Sequence, residues 1–132
     1  ANELGLSDAL IMAGHRSDLP AALAALDLLV HCSTQPESFG RVVIEGMAAR
    51  LPIVAYDHGG PSEILSHGRT GILSPAGAPE ALADRVLELL DQPDLARALG
   101  AAAREHVEHN YDARAVARQV EQVLAEALRG SS

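Results

Sequence analysis

Leu28-Leu-Val-His-Cys-Ser-Thr-Gln-Pro-Glu-Ser-Phe-Gly-Arg-Val-Val-Ile-Glu-Gly-Met-Ala-Ala-Arg-Leu-Pro-Ile-Val-Ala-Tyr56 is the stretch that decides the fold. It opens on a short apolar run, residues 28–32, which reads as a strand. A polar loop, Ser33 to Gly40, follows. From Phe39 to Arg50 the apolar spacing turns helical: Val43, Met47 and either Ile44 or Arg50 fall at i, i+4 and i+7. Pro52-Ile-Val-Ala-Tyr is a second apolar run. Strand, helix, strand in this order predicts two parallel strands joined by a right-handed crossover.

The same alternation extends on both sides. Leu10-Ile-Met-Ala, closed by Gly14, predicts an earlier strand. Leu19 to Leu26 reads as a helix, with Asp18 as N-cap and Pro20 tolerated in the first turn. Pro61 to Ser66 reads as a short helix opened by its proline. Gly71-Ile-Leu-Ser reads as a fourth, short strand. Beyond it the pattern is wholly helical. One helix starts near Pro79 with the stripe Leu82, Val86, Leu89 and Leu90. A second runs from Asp94 to about His109, with Leu95, Leu99 and Ala102 facing inward. A third is capped by Asp112 and carries Val116, Val120, Val123, Leu124 and Leu128. The strands are continuous apolar runs, as strands buried on both faces should be. The expectation is therefore an α/β fold: one domain over residues 1–132, a Rossmann-like parallel sheet with helices on both faces, and a helical C-terminal tail.

Composition narrows the function classes. The chain has 132 residues and a net charge of −8, which opposes polyanion binding. Phe39, Tyr56 and Tyr111 are its only aromatics, too few for a nucleic-acid stacking platform. All ten basic residues are Arg. The lack of Lys excludes a Schiff-base lysine or a P-loop lysine within the chain. A lone Cys32 forms no internal disulfide, which suits a reducing compartment. The longest apolar stretch, Leu19 to Val30, is broken by Asp27 and falls short of the ~18 residues of a membrane span. No signal-peptide pattern opens the chain. It begins at Ala1 and reads as part of something longer, while Arg129-Gly-Ser-Ser reads as an added or frayed end. Its Ala-rich, Lys-free composition points to a bacterium with a GC-rich genome.

Ligands of such sheets bind beyond the carboxyl ends of the strands, so three loops carry the candidate chemistry. Ser33 to Gly40 runs straight into a helix, which places free N–H groups around Ser38 to Arg41 at that helix's positive end, where phosphate is a natural ligand. Gly40 permits close approach. Glu37 stands just outside the helix. Glu45, two turns on, sits among Val42, Val43, Ile44 and Met47, so it is expected to be partly buried. A buried carboxylate needs donors, and ribose hydroxyls would serve. The plainer reading makes Glu37 a solvated loop residue and Glu45 an exposed helix residue. Tyr56 to Glu63 contains a glycine pair and His58, a candidate polar contact, and reads equally as a plain turn. Gly14-His-Arg-Ser-Asp18 reads as a ligand loop or as a turn with a helix cap. His106 and His109, at i, i+3, lack a third ligand, so no metal site is expected. No G-x-S-x-G elbow surrounds Ser33 or Ser38, which argues against a hydrolase.

Pro36-Glu-Ser-Phe-Gly-Arg-Val-Val-Ile-Glu-Gly-Met-Ala48 resembles the E-x-x-x-x-x-x-x-E signature of the retaining glycosyltransferases of family 4, which have the GT-B fold. Gly14-His-Arg-Ser-Asp-Leu-Pro resembles the segment before the signature. Pro52-Ile-Val-Ala-Tyr-Asp-His-Gly-Gly-Pro-Ser-Glu-Ile-Leu and Gly68-Arg-Thr-Gly-Ile-Leu resemble the segments after it. The resemblance covers nearly the whole chain in the family's order. It implies the donor-binding, C-terminal half of a two-domain enzyme, truncated on its N-terminal side and without its acceptor-binding domain. It implies that Glu37 faces the transferred sugar as the catalytic carboxylate and that Glu45 holds the ribose hydroxyls. The backbone of Ser38, Phe39 and Gly40 would contact sugar and diphosphate, and that of Gly14, His15 and Arg16 the base. The donor would be a UDP-, GDP- or ADP-sugar, with no cofactor and no bound metal. The partners would be that donor and the missing N-terminal domain, with no nucleic acid and no transmembrane segment. The location would be cytoplasmic, or peripheral to the inner face of the membrane. The family's basic Arg and Lys pair, which neutralises the diphosphate, has no counterpart here. The fragment alone is therefore expected to be inactive. The alternatives are a non-catalytic nucleotide-binding or regulatory module on the same fold, and an interaction domain with no small-molecule site.

Overall fold

The computed structural model describes residues 2–35, 39–112, 114, 116, 117, 120–122, 126 and 129. After a single turn at Asn2–Leu4, the elements run α1 (Leu19–Ala24), β1 (Leu29–His31), α2 (Arg41–Ala48), β2 (Ile53–Tyr56), α3 (Gly60–Ile64), β3 (Ile72–Ser74), α4 (Pro79–Asp91) and α5 (Pro93–Asn110). The three strands lie in the order β1-β2-β3, all parallel. Leu29 stands opposite Ile53, and Val54 opposite Ile72.

The central strand explains the architecture. All four residues of β2 are buried, and strand alternation divides them between two cores. Ile53 and Ala55 pack with Val43 and Met47 of α2, Ile64 of α3, and Ala103 and Val107 of α5. Val54 and Tyr56 pack with Ile72, with Leu82 and Leu89 of α4, and with Leu99 of α5. Helices thus cover both faces of a parallel sheet, as the continuous apolar runs require. α5 contributes to both cores: Leu99 serves one, Ala103 and Val107 the other.

Two backbone positions fix how α5 seats. Arg50, just past the end of α2, has φ 62° although it is not glycine. Its carbonyl oxygen lies where a Cβ on Gly100 would come within 2.2 Å, so α5 approaches this turn at backbone contact. Arg104 of α5 donates to the carbonyl oxygen of Ala48, one of the acceptors the end of α2 leaves unsatisfied.

Several expectations need correction. Leu10 to Ala13 is no strand: it pairs with nothing in the sheet, and Ile11 is 88% exposed. A strand needs a ladder partner, and the three strands find theirs in one another. Phe39 to Arg50 shortens to Arg41–Ala48, because Gly40 and Arg50, both left-handed, bound it. Leu90 is 58% exposed, since the buried stripe of α4 runs through Leu82 and Leu89, and Leu90 lies about 100° around the helix from Leu89. In α5 the deep positions are Leu99, Gly100, Ala103 and Val107, with Ala102 and Leu95 only half-buried, because the helix passes from one core to the other. Asp18 occupies the N-cap position of α1 without a side-chain cap bond. Asp112 does cap: its Oδ1 accepts from the Arg114 N–H at 2.9 Å. Of the third stripe, Val116 and Val120 are exposed, and Val123, Leu124 and Leu128 lie outside the described residues.

Candidate functional site

Parallel strands bring their carboxyl ends to one edge, and the loops after β1 and β2 leave from it. The first of these loops ends on Gly40, at φ 59° and ψ 42°. That conformation favours glycine. A Cβ there would stand 3.1 Å from Ile64 Cδ1 and 3.4 Å from Pro61 Cδ, so glycine also lets α3 close onto the tip of α2. The Gly40 carbonyl accepts from the N–H of Val43 at 2.9 Å and of Ile44 at 3.2 Å. The leading N–H groups of α2 have no intrahelical acceptor and point along the positive end of its dipole. Such a tip suits an anion.

Glu45 lies one turn beyond Arg41 on α2. It is half-buried, as its apolar neighbours predict, and its carboxylate already has a donor: Arg41 Nε reaches Oε1 at 2.8 Å. Both side chains line a cavity of about 530 Å³ between α1 and α2. Leu19, Leu23 and Ala48 give that cavity apolar walls, and Ser17 joins Arg41 and Glu45 as its polar part. The segment Gly14 to Asp18 and the second turn of α2 therefore meet at one cavity, through Ser17 and not through the three residues before it.

Gly14, His15 and Arg16 are exposed on the approach to Ser17. The Arg16 side chain is engaged locally, with Nε 2.9 Å from Asp18 Oδ1. The Arg16 guanidinium holds the Asp18 carboxyl below the usual carboxylate range. That engagement accounts for the missing cap bond. Phe39 is 62% exposed beside the tip, and Gly40 is buried. Glu37 and Ser38 lie outside the described residues.

The second loop is held between strands. The Asp57 N–H donates to the Ser74 carbonyl at 2.7 Å, and the His58 N–H to Tyr56 at 2.9 Å. Two other histidines hydrogen-bond to nearby backbone. His67 Nδ1 accepts from the Leu73 N–H at 3.0 Å, and His109 Nδ1 lies 2.8 Å from the Glu105 carbonyl. Among the described residues no three His, Cys, Asp or Glu side chains group as metal ligands. No described helix is long and apolar enough to cross a membrane. Cys32 is free and exposed.

Ser17 and Arg41 fall within segments that the sequence marks as ligand loops, but the part their side chains play in the cavity was not read from it. For Arg41 the signal was present, since Arg and Glu four apart on a helix are neighbours. Ser17 carries no such signal.

Residues 1–106 match the family model described as glycosyl transferases group 1. The chain is 32% identical over 126 residues to the N-acetyl-alpha-D-glucosaminyl L-malate synthase of Bacillus anthracis, covering 96% of this chain and 33% of that protein. It is 35% identical over 115 residues to a GDP-mannose-dependent phosphatidylinositol monomannoside mannosyltransferase of Mycobacterium tuberculosis, covering 81% of this chain and 30% of that one. Among solved structures, Anabaena HepE in complex with UDP and glucose superposes with a TM-score of 0.87 at 31% identity, covering 95% of this chain and 34% of that one. The chain thus spans about a third of the length of these relatives.

Proposed function

Because the chain belongs to the group 1 glycosyl transferases, we propose that it forms the nucleotide-sugar-holding portion of a retaining transferase of family 4, which moves a sugar from its nucleotide carrier to an acceptor. The observation that carries this reading is the single cavity in which Glu45 and Ser17 meet beside the tip of α2. Relatives solved with UDP, and with UDP-glucose, support a donor of this chemistry.

Each part of the donor then has a partner. Glu45 accepts hydrogen bonds from the ribose hydroxyls, since a carboxylate is an acceptor-only group with room for two. The diphosphate rests on the N–H groups at the α2 tip, beside the backbone of Ser38, Phe39 and Gly40. Negative charge grows on the leaving diphosphate during transfer, and fixed dipoles aimed at it lower the barrier without reorganising. Glu37 faces the transferred sugar near the anomeric carbon. Backbone around Gly14, His15 and Arg16 meets the base, adjoining Ser17. No metal or cofactor takes part. The acceptor is held by a separate N-terminal domain of the whole enzyme, which works in the cytoplasm or at the inner face of the membrane, and these 132 residues alone do not turn over.

Titration calorimetry with UDP, GDP and ADP tests the reading. One of the three is expected to bind, and Glu45→Ala to weaken it about tenfold, the scale of a hydrogen bond to a charged group. Unchanged affinity in that variant removes the ribose role. Sugar transfer by the isolated chain would refute its expected inactivity.

A further inference from the structure

We propose that Arg41 is a positioning residue that acts through Glu45 by offsetting the charge of its carboxylate, so that an acidic ribose ligand can work beside a diphosphate. This rests on the donor site proposed above.

The placement of Arg41 is unfavourable for helix stability. It is the first residue of α2, where its cation faces the positive end of the dipole. The first turn contains no acidic residue to offset it. Its pair with Glu45 has the base N-terminal to the acid, the weaker order on a helix. Arg41 is 82% exposed against 28% for Glu45, and pairs so exposed contribute little to folding.

Binding gives the placement a reason. A bare carboxylate in a cavity meant for a nucleoside diphosphate repels its own ligand, and the chain's net charge of −8 adds to the repulsion. Arg41 is the one cationic residue lining that cavity among the described residues. Its Nε occupies Oε1 of Glu45 and leaves Oε2 open to hydroxyl donors. Its terminal NH₂ groups make no hydrogen bond to the described residues, so their donors are available to an anion. In a chain without lysine, this arginine brings positive charge into the cavity beside Glu45.

The experiment compares UDP, GDP and ADP with uridine, guanosine and adenosine, by calorimetry on the full chain at low and moderate salt. Arg41→Ala is expected to weaken the bound diphosphate about fivefold, more at low salt, and its nucleoside less than twofold. Arg41→Lys recovers part of the diphosphate loss by charge alone. Glu45→Gln placed on Arg41→Ala also recovers part of it, because it removes the charge left uncompensated. The melting temperature of Arg41→Ala stays level or rises, whereas a structural role would lower it. Equal losses for diphosphate and nucleoside overturn the charge role. No loss at all, with Glu45→Ala still weakening binding, overturns the proposal while the donor site stands. Absence of nucleotide binding, or Glu45→Ala without effect, removes the donor site and the proposal with it.

Discussion

Gly100→Ala is expected to lower the melting temperature by more than about 10 °C, or to prevent folding, although alanine is the better helix former by about 1 kcal/mol. The reason is contact with backbone. The added Cβ would stand 2.2 Å from the Arg50 carbonyl oxygen and 3.0 Å from its carbonyl carbon. A carbonyl in a tight left-handed turn has nowhere to retreat, so α5 itself must lift away from α2. Overpacking of this kind costs about 3 kcal/mol or more. Gly46 supplies the control. Its Cβ would meet Leu29 Cδ2 at 2.5 Å, but that atom is the end of a flexible side chain. Thermal melts followed by circular dichroism should therefore rank Gly46→Ala as the milder change. A melting temperature raised by Gly100→Ala would mean that the two helices do not pack at backbone distance.

Met47→Ala is the second large effect. Met47 is wholly buried between α2 and the Ile53–Ala55 face of β2. Truncation removes three heavy atoms from a closed core and leaves a cavity, at a cost of about 3 kcal/mol. α2 also carries Glu45 and the tip, so the same substitution is expected to loosen nucleotide binding as the helix settles differently on the sheet. Urea denaturation measures the first consequence and calorimetry the second. A midpoint within experimental error of the unsubstituted chain would show that the site closes around the gap.

The strand-helix-strand segment from Leu28 to Tyr56 was legible in the sequence because its signals are strong and local: two apolar runs and a helical period between them. Leu10 to Ala13 carried a similar signal and is no strand, because an apolar run specifies a strand only where another lies beside it. In α5 the buried positions Leu99, Ala103 and Val107 come at even steps of four, each drifting about 40° around the helix, and so pass from one core to the other, where the spacing read from Leu95, Leu99 and Ala102 assumed one face. At the candidate site, Glu45 and Gly40 stood out by residue type and position. The Arg41 pairing was written in the four-residue spacing, but sequence alone names no rotamer. Ser17 was marked only as part of a loop, because a serine at a helix entrance has many uses, and the approach of α1 to α2 gives it this one.

α5 joins the α2 side of the sheet to the α4 side with a single unbroken rod of 18 residues. Neither half of the interior can melt while the other survives intact, because loss of either releases the helix from both. Heating should therefore give one sharp step, with amides of Val43 and Leu82 exchanging their hydrogens on the same schedule.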